Sequence, residues 1–162
     1  MKAFTSDFSS FGNYIVTGGL DKNFSFWEQD SKDMFRRFVG HTDVVSSFDF
    51  NADGKTIVSG SWDGSVCVWD VISGFQMKKL KTGQGQIHSV AFSNYGKYIF
   101  SGGLDGTIKM WEASSGKLLK TFTGHNSAVT SLQVSPDNQS LISCSIEGVV
   151  KVWEIINAKI IY

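Results

Sequence analysis

The sequence predicts an all-β protein made of four small antiparallel sheets, each of four strands. Four tryptophans recur at a constant spacing of 42 residues without insertion or deletion, so one unit occurs four times. Within each unit, short β-branched and aromatic runs alternate with Gly, Asp and Asn turns, a pattern typical of strands joined by hairpins. The tryptophans that set this period are Trp27, Trp69, Trp111 and Trp153.

The second unit shows the predicted elements in order. Its strands are predicted at residues 45–50 (strand a), 56–60 (strand b), 66–69 (strand c) and 75–80 (strand d). The turns between them, at 52–55, 62–65 and 72–74, contain Gly with Asp or Ser, residues that supply left-handed φ or bond to the local backbone. The other units repeat the same turns at the same spacing.

Strand c indicates how the four sheets pack. Apolar residues alternate there with polar ones, which places the apolar set on one face of a twisted sheet. A single sheet of this size cannot bury that face, whereas sheets stacked around an axis cover one another. We therefore predict a β-propeller with one blade per repeat, in a single domain over residues 1–162. The apolar pairs are Phe24/Phe26, Val66/Val68, Ile108/Met110 and Val150/Val152, and the repeats run at about 1–38, 39–80, 81–122 and 123–162.

The chain resembles the WD40-repeat family over essentially its whole length. A Gly-His dipeptide precedes strand a at residues 40–41 and 124–125, and Trp-Asp ends strand c at residues 69–70. The other three copies have Trp-Glu, a common variation in the family. The third unit departs from the pattern, because Thr82-Gly83 stands where Gly-His is expected.

The resemblance implies a buried hydrogen-bond network of His, Ser or Thr, Asp and Trp in each repeat. An indole N–H can donate to the hydroxyl, the hydroxyl to one imidazole nitrogen, and the other imidazole N–H to the carboxylate. The complete set is His41, Ser59, Asp63 and Trp69; a second set, with Glu for Asp, is His125, Ser143, Glu147 and Trp153; incomplete sets are Thr17, Asp21 and Trp27, and Ser101, Asp105 and Trp111. Because the third repeat lacks the histidine, we expect its loop to be held more loosely than that of the second.

The sequence argues against an enzyme. Ser59, His41 and Asp63 have the residue types of a hydrolase triad, but the set recurs in partial form in every repeat and no Gly-x-Ser-x-Gly turn accompanies it. His88 has no Cys or His at ligand spacing, so no metal is expected. Residues 83–85 are not followed by the third glycine or the helix of a phosphate loop, and no cofactor is predicted.

One column of residues points to a binding surface. The residue before the Asp or Glu of each b–c turn is large and apolar, although turn tips are normally polar. In the family this face commonly holds peptide partners, and an apolar cluster there fits an interface. The alternative is that the side chains fold back as local caps. The column is Leu20, Trp62, Leu104 and Ile146, with Trp62 the strongest candidate.

Four repeats are fewer than the family usually needs to close a ring. We expect an incomplete ring with two exposed, apolar blade faces. The faces could be covered by a second chain, by another protein or by further blades of a larger propeller; the start inside strand a and the stop inside strand d favour a fragment.

Composition narrows the partner class. The formal net charge is zero, from 15 basic and 15 acidic residues, which argues against nucleic acid as the main partner. Basic residues recur in strand d at 36–37, 78–79 and 120, where we expect a solvated edge or a weak anion contact. No apolar run resembles a signal peptide or a membrane span, and the two cysteines lie at unrelated positions, so free thiols in cytosol or nucleus are expected.

Taken together, these patterns predict a non-enzymatic scaffold that docks other proteins or peptides on its loops, with no membrane partner. The alternative is a structural subunit of a large RNA-processing, transcription or cytoskeletal assembly, with binding spread along the outer strands. The Trp-Asp-x-Arg signature of cullin-4 ligase receptors is absent from all four repeats.

Overall fold

The computed structural model of the chain describes residues 3–9 and 12–162, with no side chain described for residue 4. The described residues form sixteen strands in four four-stranded sheets, here called blades 1 to 4. Blade 1 contains β1 (Ala3–Phe8), β2 (Tyr14–Gly19), β3 (Phe24–Glu28) and β4 (Met34–Phe38). Blade 2 contains β5 (Val45–Phe50), β6 (Thr56–Ser61), β7 (Ser65–Asp70) and β8 (Gln76–Lys81). Blade 3 contains β9 (Ile87–Phe92), β10 (Tyr98–Gly103), β11 (Ile108–Glu112) and β12 (Leu118–Phe122). Blade 4 contains β13 (Val129–Val134), β14 (Ser140–Ser145), β15 (Val150–Glu154) and β16 (Lys159–Ile160).

Each blade is an antiparallel meander whose strands pair in chain order, so the predicted all-β fold is confirmed. The turn between the second and third strands requires a residue in the left-handed region. Gly64 and Gly106 adopt φ of 81° and 79° there, and Lys22 takes the same place in blade 1 with φ of 67°. Within the described part of the chain, no helix is long and apolar enough to cross a membrane.

Three apolar cores lie between consecutive blades. In each, the front face of one blade, formed by alternate residues of its second and third strands, packs on the back face of the next. Between blades 1 and 2, Phe24 and Phe26 of the front face contact the back-face layer that holds Ile57 and Trp69. The same arrangement recurs between blades 2 and 3 and between blades 3 and 4. Burial thus alternates along the strands as the predicted period of two requires.

The four blades do not close into a ring among the described residues, and the two outer faces are open. On the front face of blade 4, Val150 is 52% exposed and Ile142 is 42% exposed, whereas their counterparts Val66 and Val58 in blade 2 are fully buried. On the back face of blade 1, Trp27 is partly exposed, in contrast to the three other period tryptophans.

The recurring basic residues of the outer strands bond within the structure more than the sequence suggests. The Arg36 guanidinium donates to the Ser73 carbonyl at 3.1 Å, and the Lys120 ammonium donates to the Ile155 carbonyl at 3.2 Å, so both side chains reach the next blade. The neighbouring position points elsewhere: Arg37 pairs with Asp21 inside its own blade at 3.0 Å. The expected solvated edge therefore describes these residues only in part, because Arg36, Arg37 and Lys120 also bond to carbonyls and to a carboxylate.

Candidate protein-interaction surface

The apolar tip column (Leu20, Trp62, Leu104 and Ile146) occupies equivalent turns between the second and third strands of the four blades. Leu20, Leu104 and Ile146 are 48%, 51% and 72% exposed. Trp62 is only partly exposed, because its ring lies edge-on to the His88 imidazole of blade 3 with the centroids 6.2 Å apart. Three of the four side chains therefore present apolar surface to solvent, and Trp62 lies partly against its neighbour.

The backbone of the tips of blades 2, 3 and 4 is fixed by one recurring hydrogen bond. The Trp62 N–H donates to the Val44 carbonyl at 3.0 Å. The equivalent bonds join the Leu104 N–H to the Gln86 carbonyl at 2.8 Å and the Ile146 N–H to the Ala128 carbonyl at 2.9 Å. Each acceptor lies just before the first strand of the same blade, so in these three blades the bond ties two loops together beneath the tip side chain.

Trp62 and Leu104 line a common cavity of about 600 Å³ between blades 2 and 3. Lys79 and Lys81 also line it, together with Thr82, Gly83, Gly85 and Gln86 of the loop that precedes β9. Leu20 and Ile146 lie outside this cavity. The structure thus brings two members of the column together in one concave site and leaves the other two as separate exposed tips.

Blade 2 contains the complete polar network beneath this surface. The Trp69 indole N–H donates to Ser59 Oγ at 2.8 Å, and Ser59 Oγ lies 2.7 Å from His41 Nε2. His41 Nδ1 lies 3.1 Å from Asp63 Oδ2. Because the ionised Asp63 carboxylate can only accept, the proton of the neutral imidazole sits on Nδ1, and Nε2 accepts from the Ser59 hydroxyl.

Further donors that the sequence did not single out hold the Asp63 carboxylate. The Ser65 hydroxyl and N–H donate to Oδ1 at 2.6 and 2.9 Å, while the Thr42 N–H and the Lys79 ammonium donate to Oδ2 at 3.0 and 3.3 Å. Burial acts to raise the pKa of Asp63, but the hydrogen bonds from Ser65 and Thr42 outweigh it and hold the pKa well below its usual value. Burial lowers the pKa of His41 below 6.5 despite the nearby Asp63. The network therefore contains a neutral imidazole and an ionised carboxylate near pH 7.

The network has the hydrogen-bond order of a Ser-His-Asp triad, but its serine hydroxyl is not accessible to a substrate. Ser59 is fully buried, and its hydroxyl oxygen is held between the indole and the imidazole. A carbonyl substrate has no path to that oxygen, so the geometry suits loop fixation and not nucleophilic attack. Among the described residues, no three or more His, Cys, Asp or Glu side chains form a group that could hold a metal ion.

Blade 3 replaces the missing histidine with a residue that the sequence reading overlooked. Gln84 lies one position beyond the expected place and is fully buried. Ser101 Oγ accepts from the Trp111 indole at 3.0 Å and donates to Gln84 Oε1 at 2.6 Å. The Gln84 amide donates to the Ser101 and Thr107 carbonyls. The sequence does contain this glutamine next to the expected histidine position. Its role becomes evident only in the structure, where the loop is shifted by one residue.

The expected role of Asp105 in blade 3 is wrong. Its Oδ1 accepts from the Thr107 N–H and hydroxyl at 2.9 and 2.8 Å on the exposed turn, and no bond joins it to the buried Ser101–Trp111 pair in the described structure. Blade 3 has no imidazole that a carboxylate would need to orient. The N–H donors of the Gln84 amide bond directly to carbonyls instead.

Blade 4 forms only half of its expected network. The Trp153 indole donates to Ser143 Oγ at 2.7 Å, and His125 Nε2 lies 2.7 Å from the same oxygen. His125 Nδ1 is buried without a hydrogen-bond partner in the described chain, and Glu147 is exposed. The expected bond from His125 to Glu147 is therefore not formed. In blade 1, the Trp27 indole donates to Thr17 Oγ1 at 2.8 Å, and Asp21 pairs with Arg37.

The comparison with known families agrees with this architecture. The family described as "WD domain, G-beta repeat" matches this chain at residues 4–28, 33–70, 76–112 and 116–154, which together make up most of its length. No curated protein matches the sequence. The repeated tryptophan, the four-stranded blades and the match in all four repeats lead to one conclusion: this chain belongs to the WD40-repeat family.

Proposed function

We propose that the chain is a non-enzymatic interaction scaffold that docks other proteins or peptides on the apolar tip column. The exposure of Leu20, Leu104 and Ile146 at equivalent turns carries this proposal, because apolar tips repeated across neighbouring blades form an interaction surface more readily than isolated ones. WD40 domains are generally interaction scaffolds. The cavity between Trp62 and Leu104 provides a concave site for a partner's side chain.

The rigidity of the tips supports this function. The tip N–H groups of Trp62, Leu104 and Ile146 are bonded to the adjacent loop, and in blade 2 the polar network adjoins the tip at Asp63. A partner that binds fixed side chains loses less conformational freedom than one that must order a loop. The tips thus combine apolar surface with a backbone held in place.

Affinity enrichment with quantitative mass spectrometry tests the proposal. Leu104→Asp and Ile146→Asp place charges on exposed tips, so both variants should fold while the captured proteins decrease at least about tenfold, equivalent to about 1.4 kcal/mol. Ile72→Asp, at an exposed apolar position in a different turn, is the matched control and should capture them as wild type does. Equal capture by the tip variants and wild type would remove the column from the binding surface.

Trp62→Ala affects stability as well as binding, so it tests the docking surface less directly than substitutions at the exposed tips. We expect it to weaken partner binding by at least about 1 kcal/mol, as aromatic anchors commonly do. The ring also packs against His88, so the free energy of unfolding must be measured alongside the affinity.

A second candidate is a structural subunit of a large assembly that binds along its outer strands. It is favoured by exposed apolar side chains on the fourth strands of three blades, which form a second apolar surface. These are Met34, Phe35, Met77, Leu118 and Leu119. Asp substitutions at Phe35 and Leu119 would abolish capture in this case, while the tip variants would leave it intact.

The compartment that we propose is the cytosol or the nucleus. Cys67 and Cys144 are both free, and Cys67 is buried. Burial raises the pKa of the Cys67 thiol to about 11, so it stays protonated and unreactive.

We propose no catalytic role for Ser59, whose burial removes it from any substrate.

A further inference from the structure

The cavity between blades 2 and 3 combines apolar side chains with positive charge. Trp62 and Leu104 supply the apolar part of its lining, and Lys79 and Lys81 supply two ammonium groups. We infer that this cavity binds a partner segment in which an aspartate or glutamate stands next to a large apolar side chain. This chemistry refines the proposed docking on the apolar tip column, on which it depends.

Lys81 carries the free positive charge of the cavity. Its side chain is exposed, and its ammonium makes no hydrogen bond or ion pair with any residue that the structure describes. The equivalent positions in blades 1 and 3 hold Val39 and Thr123, so the repeated fold does not require a charge here. An unpaired ammonium beside a cavity is therefore available to an acidic group of a partner.

Asp63, the one carboxylate among the described residues that line the cavity, does not cancel this charge. Its side chain is only 5% exposed, and it accepts hydrogen bonds from Ser65 and Thr42. The Lys79 ammonium lies 3.3 Å from Asp63 Oδ2 and 3.3 Å from the Gly40 carbonyl oxygen, and its side chain is still 33% exposed. An ammonium has three N–H donors, so Lys79 keeps one for a ligand. Two ammonium groups against one buried carboxylate leave the cavity positive.

The loop that precedes β9 adds backbone donors to the same cavity. Gly83 and Gly85 line it, both are exposed, and both adopt left-handed φ, of 68° and 70°. Neither N–H makes a hydrogen bond within the described part of the chain. Because glycine has no side chain, a partner can approach this backbone closely. The partly buried Lys109 ammonium donates to the Thr82 carbonyl and adds positive charge beside the loop.

The charge of the cavity matches a carboxylate better than a phosphate. Its described lining contains no arginine, the residue that binds phosphate through two parallel hydrogen bonds. A phosphate group would bring nearly two negative charges close to the ionised Asp63. A single carboxylate instead matches the one unpaired ammonium of Lys81. The occupant that fits is therefore an unmodified acidic segment.

The apolar part of the lining provides a place for the neighbouring side chain of that segment. Leu104 is 51% exposed, and the Trp62 ring is held edge-on to His88 with the centroids 6.2 Å apart. The cavity volume of about 600 Å³ lies within the usual range for ligand sites. It accommodates the side chains of a short peptide segment that passes between the two tips.

Peptide selection against the purified chain tests the inference. The probe is a phage-displayed library of random, unmodified peptides, and we expect enrichment of sequences with Asp or Glu beside a large apolar residue. Lys81→Glu should lower the affinity for the enriched peptides at least about tenfold, because it replaces an attraction with a repulsion. Lys117→Glu is the matched control, with the same charge change on an exposed side chain at the opposite end of blade 3, and should bind them as wild type does.

Two changes in an enriched peptide locate the contact. Replacing its acidic residue with glutamine should weaken binding to wild type and remove most of the difference between wild type and Lys81→Glu, because the two charges no longer interact. Phosphoserine at the same place should bind no tighter than the acidic residue. Binding more than about tenfold tighter would overturn the assignment to a carboxylate.

The outcomes also separate this inference from the proposed docking function. A selection without acidic enrichment, or an unchanged affinity with Lys81→Glu, would overturn the inference. If Ile146→Asp, outside the cavity, still decreases protein capture in that case, the docking function stands alone. If acidic peptides require Lys81 while the tip variant captures partner proteins as wild type does, the cavity stands and docking along the whole column fails.

Discussion

Blades 2 and 4 share the same strand pattern and the same Gly-His, Ser and Trp positions, but they differ in structure. In blade 2, Asp63 completes the network, and Val66 is buried by the next blade. In blade 4, Glu147 stays exposed, His125 Nδ1 has no partner within the described chain, and Val150 lies open. One sequence pattern therefore gives a closed site in the interior of the arc and an open one at its end.

The difference has an identifiable chemical origin. Asp63 accepts hydrogen bonds from Ser65, Thr42 and Lys79. The Ser65 hydroxyl donates at 2.6 Å, and its counterpart in blade 4, Val149, has no hydroxyl. The residues that donate to the carboxylate therefore contribute to closing the network, and the carboxylate alone does not close it. Blade 3 shows a second solution, in which an amide replaces the imidazole and the carboxylate together.

The largest expected contrast comes from removing the two carboxylates. Asp63→Ala should lower the free energy of unfolding by about 3 kcal/mol, because donor groups of four residues lose a charged acceptor in a buried site. Glu147→Ala, on an exposed side chain, should change it by less than about 0.5 kcal/mol. Urea denaturation of both variants measures the contrast. Equal losses would mean that Glu147 does bond in solution.

The covered and open front faces give the second contrast. Val66→Ala should cost about 2 kcal/mol, from two lost methyl groups and the cavity that they leave. Val150→Ala at the equivalent position should cost less than about 0.5 kcal/mol in dilute protein. A similar cost at both positions would show that the face of blade 4 is covered.

Gln84 allows the same comparison between blades 2 and 3. Gln84→Ala should cost between about 1 and 2 kcal/mol, because the Ser101 hydroxyl and two carbonyls lose their partner. His41→Ala in blade 2 should fall in the same range. Thermal unfolding of the two variants compares them, and a negligible cost for Gln84→Ala would restore the expectation of a loosely held third loop.

The smallest effect is a pH dependence that blade 2 should produce. The folded pKa of His41 lies below 6.5, so the unfolded chain binds a proton more readily. This contribution to stability is fully present above pH 6.5 and is lost as the pH falls through the folded pKa. The slope cannot exceed about 1.4 kcal/mol per pH unit for one histidine.

His41→Asn should reduce that slope without abolishing it, because burial also lowers the pKa of His88 and of His125. Urea midpoints between pH 6.5 and about 5 lie above the usual carboxyl range, and burial raises the pKa of Asp49 equally in both proteins, so the difference between wild type and His41→Asn reports His41. A slope of opposite sign would show that His41 is protonated in the folded state.

Much of the fold was predictable because its signals are local. Tight turns, period-two strands and a fixed repeat specify hairpins without distant contacts, and the family match and the sheets confirm the four blades. The site was less predictable. Gln84 bonds to Ser101 from one position beyond the expected one, and blade 4 has Val149 at the place where the Ser65 hydroxyl holds Asp63 in blade 2. The partly buried setting of Trp62 depends on His88 of the next blade.

Site-specific photo-crosslinking tests the central claim, that partners dock on the apolar tip column, most directly. A photoreactive phenylalanine at exposed Leu104 should crosslink a partner protein, and the same group at exposed Leu119 on an outer strand should not. The crosslink from Leu104 should decrease when Ile146→Asp is added. Crosslinks that form only from Leu119 would contradict the account and place the partner on the outer strands.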